Sequence, residues 1–217
     1  MPRQARAEAT RRRIIDSAVD LFTEMGYGET GLADVLQRAG VSKGAFYYHF
    51  DSKESVAAAI ITEYRDANAE AVLARIDLSA PLLERIIVAS FTSAALIHTD
   101  KSARIGNELM QALSQISGVA SLTYRQWTDE FIANLTRAIN AAGVRVDATE
   151  LANAAWAGVL GSHLLASALG DDPYPRLAVV WRSIVRAAIP ESSVSEYEAL
   201  IDTTVSNLQG LVGAQRS

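Results

Sequence analysis

Two short amphipathic stretches joined by a glycine turn restrict this chain more than any other feature. They lie within Leu32–Phe50, LADVLQRAGVSKGAFYYHF. Leu32, Val35, Leu36 and Ala39 recur at helical spacing and give the first stretch a single apolar face. Gly40 predicts its end, because a left-handed residue costs glycine little. Ser42 is placed to cap the helix that follows. That helix is expected to be about eight residues, or ~12 Å, long, which fits the ~12 Å width of the DNA major groove. Phe46 and Phe50 stand four apart as its anchors. Lys43 and Tyr47 are also four apart, as are Gly44 and Tyr48, and these four face mostly away from the anchors. The layout is that of a helix-turn-helix, with Lys43, Tyr47, Tyr48 and His49 as candidates for base or phosphate contact. The alternative is an ordinary polar helix face. Gly44 costs ~1 kcal/mol relative to Ala inside a helix; close approach to a DNA backbone would explain its use, and the alternative is a surface glycine without a role.

The rest of the chain is helical in pattern and shows no convincing period-2 run, so an all-α fold follows. The first helix is predicted over 8–25, with Ile14, Ala18, Leu21, Phe22 and Met25 as its buried stripe and Gly26 as its cap. Thr30 is expected to cap the second helix, and Asp51 with Glu54 forms a capping box for a long fourth one that ends near Arg75. Lys53, in the first turn of that helix, is expected to pair with phosphate. Asp77 to Pro81 breaks the pattern. Six further helices are predicted near 82–98, 102–116, 121–142, 147–169, 174–188 and 193–208. Ile105, Leu109, Ala112, Leu113 and Ile116 point inward in the second of these, while Asp147–Glu150 and Ser193–Glu196 provide two more capping boxes.

Charge is distributed unevenly. The net charge is −5, yet residues 1–13 hold five arginines against Glu8 alone, a net +4. Such an arm suggests that one end approaches phosphate, with Arg3 and Arg11 as candidates; a solvated basic tail is the alternative. The expected division is a DNA-binding segment over 1–54 and a larger ligand-binding and dimerisation segment over 55–217. Several chemistries are excluded. There is no Cys, and His49, His98 and His163 lack metal-ligand spacing. No GxSxG elbow, P-loop or GxGxxG run is present. No enzyme activity, cofactor or metal is expected. The N-terminus lacks the apolar run of a signal peptide, and no stretch has the ~18 uninterrupted apolar residues of a membrane span. A cytoplasmic location without membrane contact is therefore expected.

Residues 10–56 resemble the DNA-binding domain of the TetR family of transcriptional repressors. The likeness rests on the run Ile14–Phe22, on Gly26–Tyr27, Thr30, Gly40–Val41–Ser42–Lys43–Gly44, Tyr47, His49–Phe50 and Lys53–Glu54. Gly31 departs from it, because the family commonly places a second Thr there, which gives Thr30 more of the capping. The resemblance implies a homodimer reading two half-sites of a double-stranded operator. It adds Thr30 and Ser42 to the DNA-facing residues, beside Gly44 and Lys53.

The chain resembles the γ-butyrolactone receptors of actinomycetes, at the N-terminus in PRQARAEATRRRII and in the body in YRQWTDEF around Trp127, VRVDATELA, GSHLLASAL and RLAVVWRSIVRAAIP. This implies a repressor released by a γ-butyrolactone-like molecule that Trp127 touches. Tyr64 and Ser162 fall where polar ligand contacts are expected. Phe91, Leu109, Met110, Leu113 and Phe131 are candidate neighbours, each with a simple core role as the alternative. Trp127 itself would be core on its pattern alone, and Trp156 and Trp181 are assigned to core or dimer packing. The remaining alternatives for the whole chain are a regulator sensing another apolar or amphiphilic ligand and a ligand-independent DNA-binding protein. The small residues between Ala152 and Ser162 allow close helix approach, either within one subunit or in a four-helix dimer interface built from Ala152–Leu169 and Val194–Leu208.

Overall fold

The structure, a computed structural model, describes residues 2–114, 118–143 and 146–215, without side-chain surroundings for 2–3, 118–123 and 211–215. The expectations for the Arg3 side chain and for Ile116 lie outside the described residues. Among the described residues there are ten helices and no strand. They are α1 (Pro2–Met25), α2 (Leu32–Ala39), α3 (Lys43–Tyr47), α4 (Lys53–Leu73), α5 (Leu82–Thr99), α6 (Lys101–Leu113), α7 (Gly118–Ala141), α8 (Ala148–Leu169), α9 (Tyr174–Ala188) and α10 (Glu191–Gln215). Packing divides them into two compact units. One is Met1–Ala67 with Asp100–Ser121, and the other is Asn68–Thr99 with Leu122–Ser217. This division by packing differs from the one expected by role. The first part of α4 and all of α6 join the helix-turn-helix, because α6 is held to α1 and α4 by contacts that no local pattern announces.

In the first unit, α1 starts at Pro2 rather than at Glu8. Ala, Arg, Gln and Glu in this stretch are strong helix formers, and Pro is tolerated in a first turn, so nothing stops the helix. The basic arm is thus a helical extension. Ile14, Ala18, Leu21 and Phe22 are buried as predicted, but Met25 is exposed, because the chain leaves the helix at Gly26. α2, α3 and α6 all pack on α1. Arg38 of α2 grips Glu24 of α1 through two bonds of 2.7 and 2.9 Å, and Lys101 of α6 reaches Asp20 at 2.6 Å. Gly40 ends α2 at φ 61°, with its amide and that of Val41 returning to Gln37 and Leu36. Ala112 faces solvent, not the core, whereas Leu109, Met110 and Leu113 are buried.

Three caps differ from expectation. Gly31, not Thr30, is the N-cap of α2: the Gly31 amide donates to Asp34 Oδ2 at 2.8 Å, and the Thr30 hydroxyl turns back to the Gly26 carbonyl at 2.8 Å. The fourth helix is capped by Ser52 and Ser55, which exchange amide–hydroxyl bonds of 3.1 and 3.2 Å, instead of by Asp51 and Glu54. A short serine pair satisfies the same orphan amides without bringing a carboxylate inward. α10 begins at Glu191, directly after Pro190, so Ser193 and Glu196 lie inside it. Ser42 and Asp147 do cap α3 and α8, with Ser42 Oγ accepting from Ala45 at 3.2 Å and Asp147 Oδ1 from Glu150 at 2.9 Å.

The second unit is built on one apolar cluster. α9 packs against α8, α10 and α5, and α5 against α10. Ile87, Phe91, Leu135, Ile139, Leu177 and Trp181 are at its fully buried centre. α5 has 18 residues of mean hydropathy 1.3, so by length and composition alone it is apolar enough to cross a membrane. Here its Leu83, Ile87, Phe91 and Ala94 belong to the core. The Trp181 indole donates to Ser90 Oγ at 2.6 Å, and the Ser90 hydroxyl donates to the Ile87 carbonyl at 2.8 Å.

Candidate nucleic-acid interface and effector-binding residues

The short helix α3 is placed by its two anchors. Phe46 and Phe50 are buried with ring centroids 6.0 Å apart. Regular helix covers five residues, not about eight, yet the bonds from Tyr48 to Gly44 and from Phe50 to Phe46 carry the coil onward. The opposite face is solvent-facing. Lys43 and Gly44 are exposed, Tyr47 is 47% exposed and Tyr48 73%. The Lys43 ammonium and the two tyrosine hydroxyls on this face are donors of the kind that suit base edges and phosphate oxygens. His49 is half-buried, edge-on to Tyr48 at 4.9 Å. A Cβ added to Gly44 would meet nothing within 4 Å, so nothing inside the unit demands that glycine.

Three other candidates are drawn inward. Thr30 is only 1% exposed and its hydroxyl is already donated, which corrects its expected place on the DNA face. Arg11 reaches Glu63 Oε1 at 3.3 Å and lies over the Phe50 ring at 5.4 Å. Arg12 shares the same carboxylate at 3.1 Å. The basic stretch is therefore partly neutralised by α4, while Arg6 and Arg13 are exposed and have no salt-bridge partner among the described residues. Lys53 donates to the carbonyls of Tyr27 and Thr30, both at 2.7 Å. The Tyr27 hydroxyl is pushed up to about 12, first by burial and then by the Glu54 carboxylate.

The effector candidates are split between the units. In the first, Tyr64 is 2% exposed, with its hydroxyl 3.5 Å from Asn107 Oδ1, and burial pushes that phenol well above its ordinary value. Gly106 lies against it: a Cβ there would fall 2.4 Å from Tyr64 Cβ. Leu109, Met110 and Leu113 are core residues of α6. In the second unit, Phe91, Trp127 and Phe131 share one apolar cluster. Trp127 and Phe131 both pack on Trp156, at 5.4 and 4.6 Å between ring centroids. Ser162 is buried and donates to the Gly158 carbonyl at 2.8 Å, within its own helix. Sequence reasoning missed Thr92 and Tyr174. Both are buried, and their hydroxyls have no hydrogen-bond partner among the described residues. Buried polar atoms are normally paired, so these two are candidates for contact with a polar group of an effector. Tyr174 opens α9, where an aromatic beside Pro175 gave no sign of burial.

An open groove of about 500 Å³ runs along α7 beside the start of α8, lined by Asp129, Ile132, Thr136, Arg137, Asn140 and Thr149. None of the expected effector residues lines it. On α8, Leu164, Leu165 and Leu169 are exposed, as is Val179 of α9, whereas the exposed side chains of α10 between Ser195 and Gln209 are mostly polar.

His163 of α8 gives the second unit a pH signature. Burial lowers its pKa from the ordinary 6.5 to about 4. The neutral ring is the folded form, so stability is full above pH 6.5 and is expected to decline as pH falls towards 4, by at most ~1.4 kcal/mol per pH unit. Urea midpoints measured across this window should flatten in His163→Gln. An equal decline in that variant would place the pH dependence elsewhere.

Among known proteins, residues 14–60 match the family of bacterial regulatory proteins described as the tetR family. Over 63 residues, 29% of this chain, the sequence is 48% identical to the A-factor receptor protein of Streptomyces griseus, and the match spans 23% of that protein's length. The fold is similar to that of a gamma-butyrolactone receptor described as an ArpA-like protein, with a TM-score of 0.73 and 26% identity over 93% of this chain and 99% of the other. CprB, a TetR family protein from S. coelicolor, gives a TM-score of 0.73 and 26% identity over 92% and 98%. Residues 14–60 thus carry the match to the tetR family of bacterial regulatory proteins, and over more than nine-tenths of its length the chain is similar in fold to gamma-butyrolactone receptors.

Proposed function

We propose that this protein is a ligand-responsive transcriptional repressor that binds a palindromic operator as a homodimer and is released by a γ-butyrolactone-like molecule. The observation that carries this reading is the exposed Lys43–Tyr47–Tyr48 face held up by two buried phenylalanines. Within it, residues 1–54 form the DNA-binding segment and 55–217 the sensing and dimerising one, acting in the cytoplasm. Lys43, Gly44, Tyr47, Tyr48 and His49 meet the major groove, and Ser42 with the α1 arginines meets phosphate. One short helix reads few bases, so two heads on successive half-sites supply the affinity. The dimer forms through α8 and the last helix. The exposed leucines of α8 support the first half of that assignment, since apolar side chains grouped on one face favour a partner.

The effector contacts Trp127 with Phe131 and Phe91 as neighbours. α4 runs unbroken past the division at Ala67 and is the element able to pass a change in the body to the head. A ligand achieves this only by binding the released state more tightly than the DNA-bound one. The test is selection of duplexes from a random pool, followed by displacement from the winner with a panel of butyrolactones, butenolides and furans. Selection of a palindrome that a lactone displaces supports the proposal; displacement only by unrelated amphiphiles would make the protein a general sensor. A companion prediction uses fluorescence. The three tryptophans, 127, 156 and 181, all lie in the second unit. An active lactone should change their emission, and Trp127→Phe should abolish most of that change. An unaltered response would remove Trp127 from the site.

A further inference from the structure

Lys53 carries its charge at the wrong end of its own helix. It is the first residue of α4, where helix amides present partial positive charge and a cation is disfavoured. Its ammonium is directed to the end of a different helix. α1 stops at Met25, and the next residues, Gly26 to Thr30, turn towards α2. Here the carbonyls of Tyr27 and Thr30 both accept from Lys53 Nζ at 2.7 Å. The described residues give these two carbonyls no other donor. The Tyr27 ring lies 4.2 Å from the same ammonium, within cation–π range. The Tyr27 hydroxyl, at the other end of that side chain, donates to Glu54 Oε1 at 3.4 Å. Two consecutive residues of α4 thus hold Tyr27 by its backbone, its ring and its hydroxyl. The Thr30 carbonyl immediately precedes Gly31, the N-cap of α2.

We propose that Lys53 is a positioning residue, a clasp by which the start of α4 fixes the start of α2 and so the angle of the helix-turn-helix, and not a phosphate contact. Drawing the ammonium out to a phosphate would leave two inward carbonyls without donors and uncover the Tyr27 ring. Phosphate contact and clasp make opposite demands on the same three N–H groups, and two of those are committed. The clasp also makes the head responsive: a tilt of α4 acts directly on the residue before the α2 cap. This consequence rests on the DNA-binding reading above; the clasp itself rests only on the geometry.

The test uses the full chain, Lys53→Met and Lys53→Gln, and the duplex that the wild type selects from a random pool. Hydrogen–deuterium exchange is read over residues 26–35, and duplex affinity is measured across a series of salt concentrations. With a clasp, Lys53→Met speeds exchange over 26–35 and weakens binding by about tenfold at every salt concentration, leaving the slope of log affinity against log salt unchanged. Lys53→Gln, which keeps a donor, shows the same effects in weaker form and serves if the Met variant does not fold. Tyr27→Phe, which removes only the bond to Glu54, raises exchange in the same segment with no change of slope. A slope reduced by about 0.9, the mark of one lost phosphate contact, with protection over 26–35 intact, would overturn the proposal. If the wild type selects no duplex, the DNA-binding reading fails while exchange still decides the clasp: unchanged protection in both Lys53 variants refutes it.

Discussion

Trp181→Ala is expected to destabilise the second unit by about 3–5 kcal/mol, the range for emptying a buried large aromatic site. Trp181 has no exposed surface and sits where α9 meets α5. Two effects add. The first is the cavity left among Ile87, Leu177 and their neighbours in the same cluster. The second is the loss of the indole donor at 2.6 Å from Ser90 Oγ, which leaves a buried hydroxyl with only its bond to the Ile87 carbonyl. Against a typical domain stability of ~5–15 kcal/mol, that is a large share. Trp181→Phe separates the terms, because it keeps most of the apolar volume and removes the hydrogen bond; about 1–2 kcal/mol is expected. Urea denaturation followed by the emission of Trp127 and Trp156 reads this unit, provided protein concentration is held constant so that dimerisation does not shift the midpoint. A Trp181→Ala midpoint within ~0.5 kcal/mol of wild type, the scale of neutral surface changes, would mean that Trp181 is not a keystone of this core.

The architecture was legible where the signal is local. Helical periodicity, Gly40, Ser42 and Asp147 each act within a few residues, and they placed the helix-turn-helix, its anchors and most helix ends. Errors arose where two local signals competed. Asp51–Glu54 and Ser52–Ser55 are both credible caps read from sequence, and the folded chain uses the serines. Thr30 fits an N-cap pattern, in which its hydroxyl would accept from an amide, yet the turn brings the Gly26 carbonyl within reach and the hydroxyl donates to it instead. The functional residues were harder. Trp181 and Ser90 are 91 positions apart, and Tyr64 and Asn107 are 43 apart; neither pair has a spacing that a periodicity could announce. The net charge of the N-terminal stretch carries no sign that Glu63, some fifty positions on, takes up both Arg11 and Arg12.

The same long-range character makes Gly106 the second position of large effect. Here α6 meets α4 with no room for a side chain. A Cβ would lie 2.4 Å from Tyr64 Cβ, 3.0 Å from its Cγ and 3.2 Å from the Ile60 carbonyl oxygen. Tyr64 Cβ and the Ile60 carbonyl oxygen are fixed by the backbone of α4 and cannot rotate away. Gly106→Ala is therefore expected to cost about 3 kcal/mol, the upper end for overpacking. Ala gains about 1 kcal/mol in a helix interior, so the net loss is roughly 2 kcal/mol. The sign depends on α4 being unable to give way. Truncating Tyr64 tests that point. Tyr64→Ala keeps the Cβ that makes the closest contact, so the double variant should be no more stable than the sum of its single changes predicts; a ring-mediated clash would show rescue. Thermal melts of the four proteins decide between these outcomes, and a Gly106→Ala protein as stable as wild type would show that the α4–α6 contact is loose. The result also bears on the effector. If the two helices cannot separate by even a methyl group, Tyr64 is the wedge that fixes α4 on α6. On the function proposed above, a ligand that reaches its hydroxyl must compete with Asn107 for it, and by doing so would loosen α4 on α6.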